Sequence, residues 1–92
     1  MLSAVQQEKL EALRRRFADR LPGMVGEIEE LCRAPGKLEE TIRRAHTLAG
    51  TGGTFGFSEL GRAARALELA LRDAAPAEAV EELLRELRAR LP

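Results

Sequence analysis

Tryptophan and tyrosine are absent from this 92-residue chain, and three phenylalanines supply all of its aromatic bulk. β-Branched residues are few, whereas Ala, Leu, Glu and Arg abound, so the composition points to helix throughout and offers no strand. An excess of either charge is missing too. Fifteen Lys and Arg balance fifteen Asp and Glu, the formal net charge is zero, and the two signs are interleaved along the chain. That balance removes the basic footprint of a nucleic-acid binder and the polybasic patch of a membrane-surface protein. Cysteine occurs once, at Cys32, which excludes an intramolecular disulfide framework and cannot build a zinc site alone. No apolar run approaches the length of a membrane span. Met1-Leu2-Ser3-Ala4 lacks the basic region and apolar core of a secretion signal, so a reduced, cytoplasmic setting is expected. The length suits one domain over residues 1–92, near the small end of what folds without staples.

What the chain does contain is amphipathic helix. Ser3 with Gln6 three residues later fits a capping box, and a first helix is predicted over residues 3–20, turning Val5, Leu10, Leu13 and Phe17 to one side. Pro22 suits the first turn of a second helix carrying Met24, Val25, Ile28 and Leu31 inward; one kinked rod is the alternative, and the sequence leaves both open. Ala34-Pro35-Gly36 is a stop. A third helix starts near Lys37, places Leu38, Ile42, Ala45 and Leu48 on one face, and ends at Gly56 through a positive φ. Ser58 is expected to cap a fourth helix with Phe57, Leu60, Ala63, Ala64, Leu67 and Leu71 inward. Asp73-Ala74-Ala75-Pro76 breaks it, Pro76 opening the last helix, whose Val80, Leu83, Leu84, Leu87 and Leu91 share a side. Amphipathic helices with short connections favour an all-α, up-down antiparallel bundle with a four-helix core and about five helices in total.

One stretch departs from this pattern. Ala45-His46-Thr47-Leu48-Ala49-Gly50-Thr51-Gly52-Gly53-Thr54-Phe55-Gly56-Phe57 holds the only histidine, followed by four glycines within ten residues. Each glycine inside a helix costs about 1 kcal/mol relative to alanine, so the absence of side chains has a use there. A phosphate-cradling loop is excluded, because it needs a preceding strand and a Gly-Lys-Ser/Thr ending. Metal or haem ligation falls short as well: one histidine and one distant cysteine do not make a ligand set. No metal and no other cofactor is expected. A surface histidine without a task is the plain alternative. A nucleophilic histidine that carries a phosphoryl group gives the glycines a purpose. Gly50 and Gly53 lie four and seven residues after His46, on its side of the helix, and clear a notch for a docking partner. Gly52 lies toward the core. Phosphorus must be approached in line, and the neutral imidazole is available as nucleophile near pH 7. The other ring N–H must then be held.

These residues resemble the histidine-containing phosphotransfer (HPt) domains of two-component phosphorelays. The family pattern, His-x-Leu-Lys-Gly with a later glycine, a leucine and an Ala/Leu-rich helix, reads here as His46-Thr47-Leu48-Ala49-Gly50, Gly56, Leu60 and Ala63-Ala64-Arg65-Ala66-Leu67-Glu68. The resemblance implies a helical bundle displaying His46 on its surface. That histidine would accept a phosphoryl group from a receiver-domain aspartate or a histidine kinase and pass it on, with no kinase or nucleotide site of its own. It further implies that Glu68, twenty-two residues after His46, orients the ring, and that Arg65, nineteen after, stands near the site. Read from the helix alone, the alternative for Glu68 is a solvated carboxylate beside Arg65 or Arg72. The family often places lysine where Ala49 stands, so the charge that offsets phosphate is expected from Arg43, Arg44 or Arg65. Arg43, one turn before His46, is the stronger by geometry. The expected partners are a receiver domain and a histidine kinase, with no nucleic acid and no membrane, and the expected state is a monomer. A helical interaction or dimerisation module, its glycines serving close helix packing, is the competing reading.

Overall fold

The computed structural model describes residues 1–92 as four helices, α1 (Ala4–Arg33), α2 (Leu38–Thr54), α3 (Ser58–Arg72) and α4 (Ala77–Ala89), with no strand. Short connections turn the chain back each time. Each helix packs on its neighbours in order, α4 closes back on α1, and the backbones of the diagonal pairs stay further apart. Two ion pairs fix the direction of one contact: Glu29 with Arg88 and Arg33 with Glu81 run α1 against α4 in opposite senses. This is an up-down antiparallel four-helix bundle. No helix is long and apolar enough to cross a membrane.

The core is built from the inward stripes: Phe17, Leu21, Val25 and Ile28 of α1, Ala45 and Leu48 of α2, Leu60, Ala63, Ala64, Leu67 and Leu71 of α3, and Leu84 and Leu87 of α4. Leu38, expected on the inward face of α2, is exposed at the helix start. Both glycine stops hold, since Gly36 and Gly56 adopt φ of 75° and 86°, angles that cost a side-chain-bearing residue energy. The capping box of Ser3 and Gln6 is formed on both sides.

Four further expectations are corrected. The chain has four helices rather than five, because α1 runs through Pro22 without a break. Pro22 is exposed, so the backbone hydrogen bond it cannot make is lost at the surface, where the cost is least. Val5, Leu10 and Leu13 do not pack inward; they are 60%, 44% and 48% exposed. At 1.5 Å per residue α1 is about 45 Å long and α2 about 25 Å, so the first turns of α1 extend past the bundle. Ser58 does not cap α3: Phe57 holds the cap position without a side-chain hydrogen bond, its ring packed at 5.8 Å from that of Phe17. Pro76 likewise sits at the cap of α4, whose first turn begins at Ala77.

Candidate functional site

α2 and α3 make the most extensive contact in the bundle, and their close approach creates the site. It depends on two glycines facing each other. A Cβ on Gly61 would meet the backbone oxygen of Ala49 at 3.1 Å and the backbone nitrogen of Gly53 at 3.2 Å, and one on Gly52 would meet Gly61 Cα at 3.4 Å. The helix axes can come this near only where side chains are absent. Gly52 thus lies toward the core, as its place in the sequence predicts. The close-packing use of glycine is real, but it operates inside the chain between α2 and α3.

Gly50 and Gly53 behave differently. A Cβ on either would meet nothing within 4 Å. With His46, Ala49, Ser58, Gly61, Arg62 and Arg65 they line a shallow open groove of about 420 Å³ between the two helices. The His46 side chain stands at its edge and is 62% exposed.

Glu68 reaches the ring from α3. Its carboxylate oxygens lie 3.1 and 3.0 Å from His46 Nδ1, close enough for a proton on that nitrogen to be shared between them. The carboxylate is not solvated: Glu68 is 2% exposed, whereas the neighbouring Leu69 is 46% exposed. The polar residue of the run Leu67–Leu71 therefore faces in and an apolar one faces out. Arg72 Nε donates to Glu68 Oε2 at 2.9 Å, and Arg65 Nη1 lies 3.5 Å from Oε1. Burial pushes the Glu68 carboxyl up, but hydrogen bonds from Arg72 and His46, with the charges of both, outweigh it and hold the group below the usual glutamate range. Every buried polar side-chain atom has a partner.

The remaining predicted cations divide. Arg65 lines the groove and also approaches Glu68. Arg43 is not in the groove; with Glu39, Ile42 and Arg72 it lines a second hollow on the other side of His46. Arg44 is held away by Glu27 and Glu40. Two residues escaped the sequence reading. Arg62 lines the groove from α3; it is one of several arginines on that helix, and only the groove singles it out. Gly61 was legible as a lone glycine in an Ala/Leu-rich helix, the same signal that drew attention to α2. No group of three or more His, Cys, Asp or Glu side chains converges as a metal site. Cys32 is remote from the groove, and burial followed by the Glu81 charge pushes its thiol up, away from nucleophilic use.

The arrangement presents one exposed imidazole with Nδ1 held and Nε2 free, beside a floor without side chains and flanked by arginines. A nucleophilic nitrogen so placed can be reached by a bulky donor and can bear an anion. A family model described as Hpt domain matches residues 3–92. No curated protein and no solved structure matches the chain.

Proposed function

The chain belongs to the Hpt domain family, and on that footing we propose that it carries a phosphoryl group on His46, taken from a receiver-domain aspartate or a histidine kinase and handed on in a two-component phosphorelay. The observation that carries this reading is the pairing of His46 Nδ1 with the buried Glu68 carboxylate. With the proton on Nδ1, the lone pair of Nε2 points away from the protein. It attacks phosphorus in line, the N–P bond forms, and the P–O bond to the partner's carboxylate breaks, that carboxylate leaving with the bonding electrons. The ring keeps its Nδ1 proton and becomes a phosphorylated imidazolium, whose positive charge Glu68 offsets. Transfer onward is the reverse with a second carboxylate.

Gly50 and Gly53 leave room for the partner surface. Arg65, with Arg43 on the opposite side of the ring, offsets phosphate charge, a role otherwise unfilled beside Ala49. The domain is a carrier without a kinase or nucleotide site, it acts as a monomer, and the exchange takes place in the cytoplasm.

Incubation with a phosphorylated receiver domain tests the proposal. The wild type should gain label that is stable in alkali and lost in acid, and His46→Ala should gain none. Label persisting in His46→Ala would remove the histidine from the mechanism. Failure of the wild type to take label from a panel of receivers and kinases would favour the interaction module.

A further inference from the structure

The Glu68 carboxylate is 2% exposed, and a buried negative charge must be balanced close by. Three groups can balance it. A second proton on His46 would do so but would consume the Nε2 lone pair. A proton on Glu68 itself would remove the charge, and with it the preference for keeping hydrogen on Nδ1. The third means is a permanent cation, and Arg72 supplies one. Its Nε donates to Oε2 at 2.9 Å, nearer than Arg65, whose Nη1 is 3.5 Å from Oε1. A guanidinium stays charged at any working pH. Arg72 is also the last residue of α3, where the negative end of the helix dipole favours a cation.

We propose that Arg72 is a positioning residue for His46, acting through Glu68: its fixed charge keeps the buried carboxylate ionised, so that the imidazole stays neutral with its proton on Nδ1 and its lone pair on Nε2. The inference rests on the reading of His46 as phospho-acceptor. The charged groups facing the pair are Arg65 and Arg72 from α3, with Arg62 of the same helix along the groove, and Arg43 and Glu39 from α2 along the hollow beside the ring. No charged residue of α1 or α4 lines the groove or the hollow beside the ring. His46 Nδ1 lies 3.0 Å from Glu68 Oε2, so the imidazole feels any change of charge around the carboxylate. Loss of a nearby positive charge makes that pair bind protons more readily.

Arg72→Gln and Arg72→Lys separate charge from packing. The Arg72 side chain is 52% exposed, so neither substitution opens a cavity. In nitrogen-15 NMR of the unphosphorylated domain, His46 in Arg72→Gln should take up its second proton about half a pH unit higher than in the wild type, the size expected of a half-exposed, screened charge. The population with hydrogen on Nε2 should grow. Phosphotransfer should show the same displacement of its acid limb, with rates about threefold lower on that limb and unchanged in mild alkali. Arg72→Lys should restore both. Superimposable titrations of Arg72→Gln and wild type, or failure of the lysine variant to restore them, would overturn the role of Arg72. A wild type that takes no label defeats the phosphorelay reading instead, and the NMR comparison is independent of that result.

Discussion

Glu68 is the residue at which the interior and the surface meet. Burial disfavours its charge, yet bonds from Arg72 and His46 hold its carboxyl below the usual glutamate range. A group whose folded pKa lies below its unfolded one adds stability that is complete above the unfolded value, about 4.3 for glutamate. That contribution is lost as pH falls through the lower, folded value. Glu29 acts in the same direction through its hydrogen bonds from Arg88. Acid should therefore weaken the bundle below about pH 4.3. Glu68→Gln should cost about 1–2 kcal/mol at pH 7, where charge-assisted hydrogen bonds are lost, and less at pH 3. Urea denaturation of both proteins at the two pH values measures the difference. An equal gap at both would mean that the charge of Glu68 is irrelevant to the fold. The burial of Glu68 was not legible in the sequence. On one helix, a carboxylate next to arginines at three- and four-residue spacing reads as a surface ion pair, and only the partner helix supplies the imidazole that draws it inward.

Between elements, the glycines separate into two kinds that the sequence shows as one cluster. Gly52 and Gly61 let α2 and α3 approach, and the atoms a Cβ on Gly61 would meet belong to the backbone of α2. Backbone cannot swing aside as a side chain does. Gly61→Ala should accordingly destabilise the bundle by about 1–3 kcal/mol, the usual cost of overpacking, although alanine is the better helix former. Gly53→Ala meets open space and should stabilise it by up to about 1 kcal/mol. Chemical denaturation midpoints test both signs. Gly50→Leu, also facing open space, should keep the helical circular dichroism and slow phosphotransfer by filling the groove beside His46. An unchanged transfer rate would sever the groove from partner docking. The helix ends at Gly36 and Gly56, the core faces of α3 and α4, and the histidine–glycine cluster were all legible, because each is a local pattern. The division of labour among the glycines was not, since it depends on which residues of α3 lie opposite.

Across the whole molecule, α1 is the element whose length does not match its neighbours, and it stretches the protein to 48 Å against widths of 21 and 20 Å. Periodicity predicted one apolar stripe along its first half and made no distinction between its two ends. Whether a stripe is covered depends on the lengths of the other helices, which no local pattern encodes. Attachment begins at Arg14, whose Nε donates to the Phe55 carbonyl at 2.6 Å and whose guanidinium lies 5.0 Å from the centre of the Phe57 ring. Phe17 follows, stacked on Phe55 at 4.9 Å. Upstream of that clasp the Ser3–Gln6 capping box, the exposed Glu11–Arg14 ion pair and local propensity hold the helix, and so short an unpacked segment is marginal in water. Amides of residues 7–12 should thus exchange with solvent orders of magnitude faster than those of residues 21–32, which are tied to the global unfolding of the bundle. Removing residues 1–9 should lower stability by less than about 1 kcal/mol, as for surface changes away from the core. Hydrogen exchange followed by mass spectrometry reads the first outcome and urea denaturation the second. Slow exchange over residues 7–12 that depends on protein concentration would show that another copy of the chain covers Leu10 and Leu13, and would overturn the monomer.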